Sequence, residues 1–147
     1  MSALNVSGPG PEVKNQIGTV PAASAAGTVN GTGVDRLGFQ WCILEAQTGA
    51  ATGTPTTQTF DVKLQHSDAS GSGYADFTPG GVAAAGAVAQ ITAVNTRKRK
   101  TINLGEAKRY IRVVSVTAFT GGTTPTLANV ATMQLAGADT LPAQSDD

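Results

Sequence analysis

Alternation of apolar and polar positions is clearest in FDVKLQHS, where Phe60, Val62, Leu64 and His66 fall on one face of a strand and Asp61, Lys63, Gln65 and Ser67 on the other. The turn-rich DASGSG follows and then YADF, which predicts a hairpin. Upstream, FQWCILEA from Phe39 is apolar almost throughout and ends at the turn-rich QTGAATGTPTTQT, the pattern of a buried strand. Downstream, RKRKTINLG alternates again, KRYIRVVSVTAF is the longest β-branched run and predicts a central strand, and NVATMQLAG supplies the last strand. Residues 81–94, GVAAAGAVAQITAV, read as loop plus strand, because Gly86 and the following Val, Ile and Thr disfavour a helix.

Six to eight short strands with frequent turns predict an all-β fold: an antiparallel β-sandwich, with jelly-roll connections as one way of joining the strands. Residues 1–34 are rich in Gly, Pro, Ala and Ser, and Pro9, Pro11 and Pro21 rule out a continuous helix. They read as an extended N-terminal arm, disordered in the free protein unless something pins it. The expected organisation is therefore arm 1–34, sandwich 35–137 and a polar acidic tail 138–147.

Charge changes the picture in one place. Residues 97–112 hold Arg97, Lys98, Arg99, Lys100, Lys108, Arg109 and Arg112 against Glu106 alone, within a chain of ten basic and ten acidic residues. Such separation suits a molecule that meets copies of itself or an acidic neighbour. RKRK alternates, so Arg97 and Arg99 face one way and Lys98 and Lys100 the other. No aromatic residue interleaves with the run, which argues against nucleic acid and for an exposed strand or a basic contact to a protein partner. Cys42 is the only cysteine, so the framework of a disulfide scaffold is excluded and assembly in a reducing cytoplasm fits. The start of the chain lacks the pattern of an export signal, and no apolar run approaches membrane-spanning length.

Candidate chemistry centres on His66, Ser67 and Asp68, the residue types of a nucleophilic triad. On a strand His66 and Ser67 point apart, so the expectation is a half-buried histidine satisfied by turn backbone, without catalysis. One histidine and one cysteine do not make a zinc site, and DASGSG lacks the terminal acidic ligand of a calcium loop. Trp41 and Tyr74 are the residues a sugar-stacking platform would use. Trp41 has apolar neighbours on both sides and is expected in the core, with Tyr74 half exposed. No cofactor, metal or small-molecule substrate is expected, and no enzyme activity.

VKLQHSDASGSGYADF, followed by EAKRYIRVVSV, resembles small virion proteins of tailed bacteriophages, of the β-rich head decoration or cement type, over roughly residues 36–136. The resemblance implies a non-enzymatic protein made in the host cytoplasm that binds the outer surface of the assembled capsid and stabilises it by bridging subunits. Its partners would be the major capsid protein and copies of itself, as a trimer at local threefold positions or a dimer, without nucleic acid or membrane. Expected capsid or inter-subunit contacts are Glu12, Val13, Lys14, Ile17 and Val20 in the arm and Arg97, Lys98, Arg99 and Lys100 in the basic run. The alternatives are a neck or tail component, or a carbohydrate- or receptor-binding β-sandwich module.

Overall fold

The computed structural model describes residues 13–138. Nine strands make two antiparallel sheets: β1 (Val13–Ser24), β2 (Gly27–Asn30), β3 (Val34–Asp35), β4 (Phe39–Thr52), β5 (Thr57–Ser67), β6 (Ala75–Asp76), β7 (Arg97–Asn103), β8 (Tyr110–Thr120) and β9 (Thr126–Ala138). One sheet has the order β1-β9-β4-β7 and the other β2-β8-β5-β6, with β3 also paired to β8. First strand pairs with last, second with second-to-last, and inward to the β5–β6 hairpin, which is the wound ribbon of a jelly roll. The expected antiparallel sandwich is the observed fold, and β8 is central in its sheet, between β2 and β5.

Period-two burial builds the core. Cys42, Leu44 and Ala46 from β4 meet Phe60, Val62 and Leu64 from β5, with Ile111 and Val113 from β8 and Leu127, Ala131, Met133 and Leu135 from β9. Only the inner face of each strand is covered, as is usual for antiparallel sheets. FQWCILEA is therefore not buried on both faces. Cys42 and Leu44 are fully inside, so Trp41 and Ile43 must point out, and Trp41 keeps 42% of its surface exposed rather than entering the core. Gly137, at φ 66°, leaves room for the indole, because a Cβ there would lie 2.7 Å from Trp41 Cδ1.

The arm expected over residues 1–34 is, from Val13 onward, extended chain laid into both sheets. β1 pairs with β9 from Val13↔Ala136 to Ser24↔Leu127, with register shifts between Ile17 and Ala22, and β2 pairs with β8. Its composition suits an edge, since Pro21 and the bulges interrupt one side of a ladder without disturbing a neighbour. Residues 1–12 and 139–147 of the expected arm and tail lie outside the described residues.

Residues 81–94 contain no strand. After two 3-10 turns, Pro79–Gly81 and Ala83–Gly86, the chain runs along β5 and touches it at two isolated bridges, Lys63↔Ala87 and Phe60↔Ile91. Val88 and Ile91 re-enter the core from this segment, at 6% and 1% exposure, so β-branched residues mark anchoring points here and not a strand.

Candidate interaction surface

His66, Ser67 and Asp68 sit where β5 meets its turn, and each has a separate structural task. His66 Nδ1 accepts the Lys108 backbone N–H at 3.3 Å, and its ring lies 5.1 Å from that of Phe77. Ser67 is buried; its Oγ accepts the Ala69 N–H and donates to the Ser72 carbonyl, closing the turn. Asp68 reaches across to Lys108 Nζ at 2.7 Å. A base in contact with a nucleophile and oriented by a third group is not assembled here. The backbone group that satisfies His66 comes from the loop before β8 and not from the hairpin turn. Burial holds the imidazole pKa below its ordinary value, and the Lys108 charge adds to that while Asp68 opposes it.

The basic run divides by parity, as its alternation predicts. Lys98 Nζ donates to the Gln90 carbonyl at 2.7 Å and Lys100 Nζ to that of Ala84, so both lysines tie β7 to the 81–94 segment. Arg97 and Arg99 face the other way, onto the outer face of the four-stranded sheet. Arg97 comes within 4.0 Å of Glu45, and Arg99 is opposite Glu45 in register. Farther along, Arg109 grips Asp35 Oδ2 with two nitrogens at 2.8 and 3.0 Å, and holds that carboxyl below the usual range. Arg112 donates twice to Gln65 Oε1 and covers the Tyr74 ring at 4.3 Å. Much of the positive charge that the sequence concentrates is thus answered within the chain.

The register sets out the outer face of the four-stranded sheet in rows. Val13, Ala136, Trp41 and Asn103 form one; Asn15, Gln134, Ile43 and Thr101 the next; Thr132, Glu45 and Arg99 continue in line with Ile17, and Val130, Gln47 and Arg97 follow. Exposed Trp41 and half-buried Ile43 form an apolar pair on β4 that no described segment covers, and Glu45, Arg99 and Arg97 continue along the same face. The opposite outer face differs. Lys63–Asp76, Gln65–Asp76 and Arg112–Gln65 cross-link it, and Tyr74 closes over it with its hydroxyl donating to the Ser70 carbonyl. Trp41 and Tyr74 therefore lie on opposite faces of the sandwich and do not form one stacking platform.

Of the expected contact residues, Val13, Arg97 and Arg99 share this outer face. Val13 and the arginines lie on opposite edges, with β9 and β4 between their strands. Lys14 belongs to the other parity, in the inner row with Leu135, Cys42 and Ile102, and its charge acts on Asp35. Val20 is 74% exposed between the β1 register shifts. Glu12 lies outside the described residues, and Ile17 is placed by its backbone register alone. Sequence reasoning missed Trp41 and Ile43 as surface residues. The signal was Glu45, which shares their parity and marks that side of β4 as the wet one.

Among the described residues no group of three or more metal-ligating side chains comes together, and no helix is long and apolar enough to cross a membrane. No family model matches the chain, and no curated protein matches it. Among solved structures it is similar to the SPBc2 prophage-derived protein YomS, with 10% identity, 86% of this chain and 94% of that one covered, and a TM-score of 0.41. It is also similar to the N-terminal CBM22-1-GH10 modules of Clostridium thermocellum endo-1,4-beta-D-xylanase 10B, complexed with xylohexaose. There the identity is 13%, the cover 83% of this chain and 22% of that one, and the TM-score 0.39.

Proposed function

We propose that this chain is a non-enzymatic virion structural protein of the decoration type, which binds the outer surface of an assembled phage head and stabilises it by bridging capsid subunits. The observation that carries the reading is the outer face of the four-stranded sheet, which no described segment covers, with exposed Trp41 beside Ile43 and with Arg97 and Arg99 along one edge. An exposed aromatic side chain with arginines on the same face suits a surface that meets another macromolecule. The sequence resemblance of VKLQHSDASGSGYADF and EAKRYIRVVSV to small virion proteins supplies the kind of macromolecule.

In this reading the arginines steer and orient the protein on an acidic patch of the major capsid protein, and Trp41 anchors it. Val13, Lys14, Ile17 and Val20 follow the β1 edge toward a neighbouring subunit, with Glu12 preceding them. Lys98 and Lys100 are spent inside the molecule and contribute to folding more than to attachment. The test is the copy number of this protein relative to the major capsid protein in purified particles, by quantitative mass spectrometry. A fraction set by icosahedral sites supports decoration; a few copies per particle moves the protein to neck or tail, and none overturns the virion reading. Replacing Arg97 and Arg99 with Gln lowers particle binding most at low salt, where exposed charges are least screened.

Exposed Trp41 also favours a second reading, a carbohydrate-binding module. It predicts quenching or shift of the single tryptophan's fluorescence by soluble oligosaccharide, and loss of that binding in Trp41→Ala.

A further inference from the structure

β2 ends its sheet, and no described strand pairs with its outer side. Its four residues, Gly27, Thr28, Val29 and Asn30, are all exposed. The ladder with β8 fixes which backbone groups are unused. Asn30 is opposite Val114 and Val29 opposite Ser115, and just beyond them the Gly31 N–H donates to the Val113 carbonyl at 2.8 Å. Hydrogen bonding alternates along an antiparallel strand, so Gly27, Val29 and Gly31 turn their N–H and C=O groups toward β8. Thr28 and Asn30 turn theirs outward, two donors and two acceptors at a bare edge.

The inner side of this edge is a cleft of about 370 Å³ between β1 and β2, lined by Thr19, Val20, Val29, Ser115 and Asn129 among others, all uncharged. Val29 shares the inward parity of Ser115, which is 2% exposed, yet Val29 itself is 45% exposed because the cleft is open. Val20, on the facing strand, is 74% exposed. A bare backbone edge beside two exposed apolar side chains, with no charge to oppose a second copy, is the arrangement that pairs strands between molecules.

We infer that β2 pairs antiparallel with β2 of a second copy about a twofold axis at Val29, joining the two β2-β8-β5-β6 sheets into one continuous sheet. This register pairs the two outward residues of each copy with each other, within the four residues of β2. Thr28 of one protomer exchanges N–H and C=O with Asn30 of its partner, and the reverse pair does the same, giving four hydrogen bonds. Val29 then faces its own symmetry mate as a non-hydrogen-bonded pair, with Cα atoms roughly 4.5 Å apart. Gly27 and Gly31 meet at both ends, where the lack of side chains lets the backbones approach. Exposed Val20 of each protomer lies beside the joined Val29 pair. This contact gives a twofold dimer and not a trimer, and it stands apart from the virion reading.

The experiment uses the full chain in the absence of phage particles. Val29→Cys, oxidised with glutathione disulfide, is expected to form a disulfide-linked dimer, because the twofold separation falls in the range a disulfide spans. Val94→Cys, equally accessible on the opposite side of the sandwich at 40% exposure for Val94, is the control. Cys42 does not compete, because it is fully buried and burial pushes its thiol pKa up to about 12. Val29→Lys opposes like charges on the axis and is expected to raise the dimer dissociation constant, read by sedimentation, about tenfold or more. The amides of Thr28 and Asn30 are expected to slow their hydrogen exchange as concentration rises, with Val29 protected throughout. Val29→Cys linking no faster than Val94→Cys, while its thiol still reacts with a soluble disulfide, overturns the inference. So does exchange at Thr28 and Asn30 that is the same at every concentration.

Discussion

The two flanks of the sandwich are closed in different ways. On the flank between β5 and β7, residues 81–96 bridge the sheets with bonds to three strands. Ile91 and Phe60 exchange N–H···O bonds at 2.8 and 3.0 Å, Val88 N–H donates to Val62 at 2.9 Å, and Thr48 on β4 exchanges bonds with Thr96. Lys98 and Lys100 add their ammonium groups from β7. On the flank between β1 and β2 no described segment gives such cover. The chain closes up where a Cβ on Gly31 would lie 2.1 Å from the Gly18 carbonyl oxygen, and beside that approach the cleft opens. Polar side chains fill the core there: Asn129 Nδ2 donates to Thr117 Oγ1 and the Leu127 carbonyl, and Thr19 Oγ1 accepts the Ala131 N–H. One flank holds its contacts inside the molecule, and on the other no described strand takes up the outward groups of β2.

The sharpest way to break this comparison is to empty the closed flank. Ile91→Ala removes a side chain 1% exposed and leaves a cavity, at a cost of about 3 kcal/mol in denaturant unfolding. Val29→Ala, on the open flank, changes the stability of dilute protein by less than about 0.5 kcal/mol. Equal losses at the two positions would mean that the flanks do not differ as described. Next in size is Gly31→Ala. Its Cβ meets backbone on both sides, Gly18 O and Val113 O, and neither can swing away, so the substitution costs about 2 kcal/mol. Unlike Ile91→Ala, it is expected to speed amide exchange in β1 and β2 while sparing Val88 and Ile91.

The difference between the flanks also shows what the sequence carries. The closed flank was partly legible: β5 alternates cleanly, and the parity of RKRK separates Lys98 and Lys100 from Arg97 and Arg99. Val88 and Ile91 stood out as apolar but not as two anchors of an irregular strap, since isolated bridges have no period to read. The open flank was less legible. VKNQIGTVPAAS looks like a linker by composition, and only its pairing with β9, more than a hundred residues away, makes it a strand. The carboxylates that answer the basic run, Asp35 for Arg109 and Asp68 for Lys108, are 74 and 40 residues distant. Trp41 was misplaced because a run of apolar residues hides which parity faces water.

A finer perturbation separates the strap from the core it covers. Lys98→Met keeps the apolar stem and deletes the bond to the Gln90 carbonyl, so global stability falls by about 1 kcal/mol or less. Its readout is local. Hydrogen exchange accelerates at Val88 and Ile91 and stays unchanged at Val29, and a change at Val29 instead would place Lys98 in the fold as a whole and not in the strap.

The smallest effect belongs to His66, at the end of the sandwich and on neither flank. Its folded-state pKa lies below the ordinary imidazole value, from burial first and the Lys108 charge second. Between the folded and unfolded values the unfolded chain binds more protons, so stability rises with pH there and falls as pH drops below roughly 6.5. The chain has a single histidine, so no other side chain titrates normally in this window. Asp35 and Asp76 have lowered values and lose their contribution only in acid, below the ordinary carboxylate range. Denaturant midpoints measured between pH 7 and 5.5 should decline gently in the native chain and stay level in His66→Gln, which keeps a side-chain acceptor for the Lys108 N–H without the titrating ring. A decline that survives in His66→Gln would assign it elsewhere. A level native profile would mean that the imidazole titrates alike in folded and unfolded chains and that the Lys108 N–H bond to Nδ1, which an imidazolium cannot accept, adds nothing to stability.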